Sequence, residues 1–506
     1  MIMDREIADL ILSARKAGRR TLSEPDSKRL IAAFGVAVPT SVVVANSSGV
    51  AAAVRHLRGP YVVKIVSPDI VHKSDFGGVA VGLAGTADVR RAIDRMAERA
   101  STSGVRLEGF MVETMQPPGV ELVVGATRDR QFGPMLMVGI GGMFVEVLRD
   151  VAFRMCPITE RDAASMLSDL RGAALLDGVR GMRPVHRKAL VATLMAIGGA
   201  DGLVMRFANE IAELDINPII ATDHEIVAVD ARIVLSDVSL DNVRPPRIAV
   251  DESEVVSRYE PLVRPSTVAV LGASANATTI ANTFIKRLKK FGYAGSIYPI
   301  HLTAETIEGL SCYRNLAETP EPIDYAYIAI GAKNIPSVLQ GAQGRLRYAQ
   351  VISSGFGEVA DGVDLEADLI KKAREGGCRV IGPNCLGMYS PRGGITFPED
   401  APREGGHIGV ICQSGGLGTD IIKRGGQRGL RFSVVITVGN CADLAPVDLA
   451  EFLFADPVTK VVGLYLEDAK DGRALFEVLQ RNAGRKPVVL LWGGRSQQGS
   501  IAAASH

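Results

Sequence analysis

The stretch VVKIVSPDIVHKSDFGG occupies residues 62–78 and begins with a β-branched run that predicts a strand. Lys64 lies in the middle of this run, and an ammonium group buried in a strand needs an anionic partner. Turn residues follow, and His72 then lies among basic and hydroxyl neighbours ahead of two glycines. Such a loop suits a phosphate-accepting imidazole, and it equally suits an ordinary solvated histidine. The stretch alone leaves both interpretations open.

The composition is that of a globular protein with more than one core. A chain of 506 residues predicts two to four domains, and its 47% hydrophobic residues are ordinary for such proteins. The net charge of +1 argues against broad attraction to nucleic acid or to an anionic membrane. The six cysteines show no metal-binding spacing, the first residues are not those of a signal peptide, and no apolar run reaches about 20 residues. We therefore expect a soluble cytoplasmic protein with no nucleic-acid or membrane partner.

Residues 1–240 predict an antiparallel-rich α+β module rather than a repeat of βαβ units. Its predicted strands lie at residues 36–44, 61–66, 79–83, 110–115, 119–125 and 134–138. Asn217 and Asp230 follow predicted strands, and their oxygens are the kind of ligand that Mg²⁺ prefers, although Asn-Pro is also ordinary turn chemistry. The glycines of residues 139–142 could cradle a phosphate with backbone N–H groups, but they do not form a dinucleotide fingerprint.

Four segments of this module resemble the ATP-grasp part of the NDP-forming acyl-CoA synthetases, a family that includes ADP-forming acetate–CoA ligase and is related to succinyl-CoA synthetase. They are VVKIVSPDIVHKSDFGGV, VETMQPPGVELVVGATRDRQFGP, GIGGMFVEVLRD and ELDINPI. The resemblance implies that ATP or ADP binds here. It implies the following roles: Lys64 contacts the phosphates, Glu113 and Met115 border the adenine, Glu121 belongs to the nucleotide site, Asn217 and Asp230 hold Mg²⁺, and His72 carries phosphate.

From residue 266 onward the pattern changes to alternating strands and helices, which predicts a parallel sheet. In such sheets ligands bind at the carboxyl ends of the strands, near helix N-termini. The segments SSGFGE and VIGPNCLG resemble the CoA-binding domain of the same family. That resemblance implies a coenzyme A site formed by Gly272, Ala273, Ser274, Pro299, Ser354 and Gly355. The chain departs from the family at Ala281, where glycine is frequent, and at residues 301–303, where His-Leu-Thr replaces Asn-Pro-Lys.

The region after residue 406 resembles the flavodoxin-like ligase domain of that family, with polar or glycine residues at the end of each predicted strand. The resemblance implies that Asn384, Gln413, Ser414 and Gly415 line an acyl-phosphate pocket. It also implies that Glu467 orients a catalytic imidazole, and that His506 is the phosphorylated histidine. Lysine is common in the family where Cys441 lies. Because His506 is the last residue, we expect the native protein to continue for about 200 residues more, the size of a further domain.

The predicted fold class is α/β, with an ATP-grasp module followed by a Rossmann-like CoA-binding domain and a flavodoxin-like ligase domain. The predicted boundaries are residues 1–240 with subdomains at about 22–110 and 111–240, a linker at 241–264, and domains at 265–392 and 393–506. The predicted activity is ADP-forming ligation of a small carboxylic acid to CoA, by a homodimer or a higher homo-oligomer. Two alternatives stay open: a CoA-binding regulatory protein without turnover, and an ATP-grasp ligase with another acceptor.

Overall fold

The structure is a computed structural model that describes residues 2–70, 73–129, 131–141, 150–179, 183–236 and 251–494. For residues 2–5 it describes the backbone alone. The chain divides into two compact units, Met1–Pro245 and Pro246–His506. His72, His506 and residues 237–250 of the linker region lie outside the described residues, so their predicted roles stay predictions.

The first unit contains two antiparallel sheets. Its helices are α1 (Ile2–Lys16), α2 (Glu24–Ala33), α3 (Val50–Ala53), α4 (Lys73–Phe76), α5 (Thr86–Thr102), α6 (Glu160–Asp169), α7 (Arg187–Gly198) and α8 (Leu203–Arg206). Its strands are β1 (Ser41–Val44), β2 (Tyr61–Val66), β3 (Val79–Leu83), β4 (Gly109–Thr114), β5 (Val120–Asp129), β6 (Gly133–Ile140), β7 (Val151–Met155), β8 (Ile211–Ala221), β9 (Ile226–Ala228) and β10 (Arg232–Leu235). The first sheet has the order β1-β4-β2-β3, and the second has the order β10-β8-β5-β6-β7 with β9 beside β8. The antiparallel α+β prediction is confirmed.

The two sheets carry separate cores. Helix α5 buries apolar residues at helical spacing, including Val89, Ile93 and Met96, against the first sheet. The second core instead takes in Leu30 and Ile31 of α2 together with α6 and α7. Helix α2 therefore packs with the second sheet, whereas β4 belongs to the first sheet. The predicted subdomain boundary at about residue 110 instead assigns α2 to the first subdomain and most of β4 to the second.

Among the described residues, the stretch Arg187–Arg206 is long and apolar enough to cross a membrane by length and composition, with a mean hydropathy of 1.4. It consists of α7 and α8, separated by a short turn, and half of it is buried in the protein. Leu190, Leu194 and Ile197 lie in the core of the second sheet. Core helices of soluble proteins share this length and composition, so the observation is weak evidence for a membrane span.

The second unit contains two mainly parallel sheets. Its helices are α9 (Glu252–Val263), α10 (Ile280–Phe291), α11 (Ile335–Gln340), α12 (Val363–Glu375), α13 (Gly415–Gln427), α14 (Pro446–Ala455) and α15 (Gly472–Arg481). Its strands are β11 (Thr267–Leu271), β12 (Ser296–Ile300), β13 (Thr306–Ile307), β14 (Leu310–Ser311), β15 (Ile323–Ile328), β16 (Leu346–Val351), β17 (Arg379–Ile381), β18 (Met388–Tyr389), β19 (Ile408–Cys412), β20 (Phe432–Thr437), β21 (Val461–Leu466) and β22 (Val488–Trp492).

The strand orders of these sheets are those of doubly wound folds. The first sheet runs β12-β11-β15-β16-β17 with every neighbouring pair parallel. The second runs β18-β20-β19-β21-β22, where only the pairing of the short β18 is antiparallel. In the first sheet β12 and β15 lie on opposite sides of β11, and in the second β20 and β21 lie on opposite sides of β19. Ligands bind at such switch points, outside the carboxyl ends of the strands. The predicted parallel architecture is confirmed.

Helix α9 (Glu252–Val263) occupies the second half of the segment predicted as a linker at residues 241–264. The flanking prolines and polar residues suggested a break, but Val255, Tyr259 and Leu262 recur at helical spacing and are buried. The Tyr259 ring stacks on Tyr348 with centroids 6.1 Å apart and lies 5.7 Å from the ring of Phe452. Since one continuous core contains α9 and strands from both sheets, this helix joins the two parallel domains.

We expect Tyr259→Ala to lower the free energy of unfolding of the second unit by about 3–5 kcal/mol, because it removes a buried aromatic ring and leaves a cavity. Trp492 is the single tryptophan of the chain and lies in β22, so urea unfolding followed by its fluorescence reports on this unit. Arg258→Ala is the control, since Arg258 is exposed on the same helix and its ion pair with Glu254 is a surface one. Equal unfolding curves for Tyr259→Ala and the control would contradict the role of α9.

Candidate active site

Lys64 lies in the centre of β2 and is buried, with its side chain 8% exposed. Lys64 has two carboxylate partners where one was predicted. Its Nζ lies 2.7 Å from Glu24 Oε1 and 3.4 Å from Glu113 Oε2. The ammonium also donates to the backbone oxygen of Val229 at 2.5 Å. Burial by itself lowers the pKa of Lys64, but the carboxylates around it raise that pKa above its ordinary value. Lys64 therefore stays charged, as a phosphate ligand must.

Glu24 is the residue on which this cluster is centred, and sequence reasoning did not assign it a role. It lies in the first turn of α2, after the N-cap Ser23, and is 3% exposed. Its carboxylate pairs with three ammonium groups: Lys64, Lys28 at 2.9 Å, and Lys73. Burial raises the pKa of Glu24, but the three lysines more than offset this and hold it at about 2. The Glu24–Lys28 spacing of four residues on one helix face is the signal by which the pair could have been found.

Glu113 and Met115, predicted to border adenine, lie at and just after the end of β4, and Glu121, predicted for the nucleotide site, lies in β5. Glu113 is 2% exposed, and its carboxylate accepts a hydrogen bond of 2.5 Å from Lys28 while it pairs with Lys64. The carboxylate of Glu113 thus faces the lysine cluster. Met115 directly follows β4, where its N–H donates to Pro60. Glu121 is exposed on β5, opposite Ile220 of β8.

The predicted magnesium ligands come from two adjacent chain segments. Asn217 lies exposed in β8, and Asp230 follows β9; the segments meet where the Val229 N–H donates to the Pro218 oxygen at 3.1 Å. Burial and the nearby Glu24 raise the pKa of Asp230. Within the described residues no group of three or more His, Cys, Asp or Glu side chains is arranged to hold a metal. The pair nevertheless offers the carboxylate and amide oxygens that suit Mg²⁺, whose remaining ligands are usually water and phosphate.

Asp215 is a further oxygen donor that the sequence analysis missed. It precedes Asn217 by two residues in β8, and side chains two apart in a strand share a face. Burial, followed by the charge of Glu213, raises the pKa of Asp215. The alternation of polar and buried residues in ELDIN was the available signal.

The glycine run predicted to cradle phosphate is only partly described. A Cβ at Gly139 would lie 2.9 Å from the backbone oxygen of Asp150, and one at Gly141 would lie 2.8 Å from the backbone of Glu121. Both glycines are therefore required by the packing of neighbouring strands, whether or not a ligand binds. Gly142 lies outside the described residues, and the phosphate cradle stays a prediction.

In the second unit, the turn Gly272-Ala273-Ser274 follows β11 at the switch point between β11 and β15. Gly272 has φ of +98°, and a Cβ there would lie 2.2 Å from the Ala329 oxygen, so the turn itself demands glycine. The buried Asn282 fixes the turn, because it accepts from the Ser274 N–H and donates to the Ser274 oxygen, each at 2.9 Å. This turn leads through the Thr279 cap into α10, whose N-terminus favours an anion.

The other residues predicted to contact CoA lie around the same sheet. Pro299 is buried in β12, an edge strand where its missing N–H costs no ladder bond. Ser354 is exposed just beyond β16, and the next residue, Gly355, donates its N–H to Glu358 Oε1 at 2.5 Å. At the departure from the family pattern, His301 Nδ1 accepts from the N–H groups of Thr303 and Ala304, so the imidazole closes that turn.

Asn384 of the predicted acyl-phosphate pocket lies beyond β17, with φ of +57°, a left-handed conformation that asparagine tolerates. Its side-chain amide donates to Asn440 Oδ1 at 3.5 Å. Asn440 follows β20, and its own amide donates to Glu358 at 2.5 Å and to Glu366 at 2.8 Å. Asn440 was missed as a site residue, although it follows a predicted strand end in the same way as Asn384.

Gln413 and Glu467, which follow β19 and β21, meet at the switch point of the second parallel sheet. Gln413 Oε1 accepts from the N–H groups of Glu467 and Asp468 at 2.8 and 3.0 Å. The Glu467 carboxylate accepts from the Tyr465 hydroxyl at 3.0 Å, and burial together with this bond raises the pKa of Tyr465 to about 12. The predicted orientation of an imidazole by Glu467 stays a prediction, because His506 lies outside the described residues.

Ser414 and Gly415 begin α13, and Ser414 Oγ caps the helix by accepting from the Leu417 N–H at 3.3 Å. A Cβ at Gly415 would lie 2.6 Å from Leu386, two residues beyond Asn384, so the two loops are in contact. Asn384, Gln413, Ser414, Gly415 and Glu467 are therefore assembled on one edge of the sheet, next to a helix N-terminus that favours a phosphate group.

Comparison with known proteins finds three domain families in the predicted order: an ATP-grasp domain over residues 13–235, a CoA binding domain over 266–391 and a succinyl-CoA ligase like flavodoxin domain over 405–506. An acetate–CoA ligase [ADP-forming] II of Archaeoglobus fulgidus is 32% identical over 492 residues, which cover 96% of this chain and 69% of that protein. The chain belongs to the family of ADP-forming acetate–CoA ligases.

Relatives within this family also occur as separate subunits. The acetate–CoA ligase [ADP-forming] I subunit beta of Pyrococcus furiosus is 39% identical and covers 44% of this chain and 96% of that subunit. The corresponding subunit alpha is 38% identical and covers 49% of this chain and 55% of that subunit. A solved acetyl-coenzyme A synthetase 1 of Ca. Korarchaeum cryptofilum, in complex with coenzyme A and Ca-AMPCP, is 41% identical with a TM-score of 0.43, over 45% of this chain and 99% of that one.

The depressed pKa of Glu24 predicts a pH-dependent stability of the first unit. Its stabilising effect is complete above the ordinary carboxyl pKa of 4.5 and is lost as the pH falls towards 2. We expect the difference in unfolding free energy between the wild type and Glu24→Gln to shrink by up to about 3 kcal/mol across that interval. Urea unfolding followed by circular dichroism at several pH values measures it, and a difference independent of pH would contradict the prediction.

Proposed function

We propose that this protein forms acyl-CoA from a small carboxylic acid, CoA and ATP, and releases ADP and phosphate. The observation that carries the proposal is the assembled edge of the second parallel sheet, where Gln413 and Glu467 meet beside the N-terminus of α13 and the loop of Asn384. Membership of the ADP-forming ligase family supports the same chemistry. A homo-oligomeric assembly and a cytoplasmic location are part of this proposal.

In the nucleotide half of the reaction, a nitrogen of His72 attacks the γ-phosphorus of ATP, the bond to the bridging oxygen breaks, and ADP leaves. The Lys64 ammonium offsets the negative charge of the transferring phosphoryl group. Asn217 and Asp230, with Asp215 on the same strand face as Asn217, would hold Mg²⁺. When bound, that ion supplies further positive charge beside the phosphates.

In the acyl half, the phosphoryl group passes from His72 to His506, or in the opposite direction during the reverse reaction. An oxygen of the carboxylic acid attacks the phosphorus on His506, and the nitrogen–phosphorus bond breaks to leave an acyl phosphate. The thiolate of CoA then attacks the acyl carbon, and phosphate leaves with the electrons of the broken carbon–oxygen bond. Glu467 would hold the imidazole through its second nitrogen, while the first N–H groups of α13 would bind the phosphate oxygens.

The test is an assay of the purified protein with ATP, Mg²⁺, CoA and each member of a panel of short-chain, branched and aryl carboxylic acids. We expect ADP, phosphate and acyl-CoA in equal amounts for at least one acid. Formation of AMP and pyrophosphate would overturn the assignment, because the proposed steps break only the bond to the γ-phosphorus. Tight CoA binding without any turnover of the panel would instead favour a regulatory protein.

We expect Lys64→Met to weaken ATP binding at least tenfold, since loss of one phosphate-contacting charge costs on the order of 1.5–3 kcal/mol. Isothermal titration calorimetry with Mg²⁺ and a non-hydrolysable ATP analogue measures the dissociation constant, and circular dichroism verifies that the variant is folded. Lys16→Ala is the control, because Lys16 is an exposed lysine at the end of α1 in the same unit. An unchanged affinity in folded Lys64→Met would exclude Lys64 from the nucleotide site.

A further inference from the structure

We propose that Glu24 is a positioning residue that fixes the ammonium groups of Lys64 and Lys73 relative to each other. It thereby couples the nucleotide site to the segment that carries His72. The inference rests on the proposed function, since it assigns a new role within that same site. Glu24 itself does not need to touch the nucleotide.

The geometry of one carboxylate carries the argument. Glu24 Oε1 accepts from Lys64 Nζ at 2.7 Å, and Glu24 Oε2 accepts from Lys73 Nζ. The two oxygens belong to one planar group, so they set the spacing between the two amines. The buried Lys28 also holds the carboxylate, at 2.9 Å from Oε1, the same oxygen that Lys64 contacts.

Lys73 is the residue directly after His72 and the first residue of α4. Its backbone oxygen accepts from the Gly78 N–H at 2.7 Å, and the Gly78 oxygen accepts from the Ile65 N–H of β2 at 2.8 Å. Both the backbone and the side chain of Lys73 are therefore anchored beside the strand of Lys64. His72 directly precedes Lys73 in the sequence, and the proposal takes the anchored Lys73 as the link to it.

The charges in the cluster explain why a carboxylate is needed at this place. Lys28, Lys64 and Lys73 balance Glu24, Glu113 and Asp230, with Lys73 Nζ 3.8 Å from Asp230 Oδ1. An arriving phosphate attracts Lys64 and Lys73, which are 8% and 17% exposed, while Lys28 and Glu24 are each 3% exposed. Glu24 therefore remains as the fixed point when the two lysines engage a ligand, and the N-terminus of α2 stabilises its negative charge.

A purely structural ion-pair cluster is the competing explanation, and transfer kinetics distinguish the two. The experiment measures phosphoryl transfer from γ-labelled ATP to histidine in the full chain, together with the dissociation constant of ADP. We expect Glu24→Gln to slow transfer by about 10- to 100-fold, the range typical of residues that hold metal-binding side chains in place, since Glu24 would hold two lysines in the same way. Glu24→Asp keeps the charge and should recover part of the rate, whereas a merely structural role would change only stability.

Glu160→Gln is the matched control. Glu160 is also the first residue of a helix after a hydroxyl N-cap, here Thr159, but it is exposed. We expect wild-type transfer and ADP affinity in this variant. A loss in Glu160→Gln as large as that in Glu24→Gln would overturn the proposal, because it would show a general response to losing a helix-start carboxylate.

A double-mutant cycle with Lys73→Met tests the coupling directly. If Glu24 acts through Lys73, phosphoryl transfer in the double variant should be at most about twofold slower than in the slower single variant. The reason is that the effects of substituting two contacting residues are not additive. Strictly additive effects, or wild-type transfer in folded Glu24→Gln, would overturn the proposal. Should Glu24→Gln fail to fold, Glu24→Asp and Lys73→Met still decide it, because wild-type transfer in both would exclude the role.

The outcome also separates this inference from the proposed function. The proposed nucleotide site is refuted if the wild type binds no ATP analogue, or if the wild type and Lys64→Met bind it with equal affinity. A wild type that binds and transfers, with Lys64→Met impaired and Glu24→Gln unaffected, refutes only the positioning role of Glu24.

Discussion

The burial of charge around Glu24 is the constraint on which the first unit depends. Removing an ammonium or a carboxylate from water costs several kcal/mol unless a partner is held in good geometry. Here α2, β2, β4 and α4 each contribute a charged residue, and Val229 before Asp230 contributes a carbonyl. Glu24 and Lys28 pair within α2, but elements packed with both antiparallel sheets must be in place before the whole set of charges is satisfied. The same arrangement leaves Lys73 partly exposed beside the buried Lys64, and the two positive charges together suit binding of an anion.

The second unit solves a different problem, because its polar groups gather by topology. Parallel strands bring their carboxyl ends to one edge, so residues 54 positions apart meet there, as Gln413 and Glu467 do. Main-chain donors are then fixed by side-chain acceptors such as Gln413 and Glu358. This edge is assembled from strand ends, and the cluster around Glu24 is assembled from buried ion pairs.

The sequence was most informative where local pattern and topology agree. The strand of residues 61–66 was predicted with the bounds that β2 has, and the need of Lys64 for an anion followed from burial alone. The identity of that anion could not be predicted, because Glu24 lies 40 residues away and only tertiary packing brings it near. Helix α9 was missed for the opposite reason: its flanking prolines are a strong local signal, and the burial of Tyr259 between two domains is a long-range one.

Gly272 shows a further limit of such reasoning. Glycine at a strand–helix turn suggests close approach of a phosphate, yet the Ala329 oxygen alone excludes a side chain there. Glycine at position 272 is thus expected whether or not a ligand binds there. The buried Asn282 amide bonds to the Ser274 N–H and oxygen and also closes the capping box of α10 with Thr279, so it holds the turn and the start of the helix together.

The shared core around α9 has a consequence for how genes of this family can be divided. Because that core contains strands of both parallel sheets, a chain broken between them would leave two apolar surfaces exposed to water. A break before Asp251 gives one polypeptide that keeps both antiparallel sheets and another that keeps both parallel sheets. Relatives encoded as separate beta and alpha subunits each match a little under half of this chain, as gene fission or fusion at such a joint would produce.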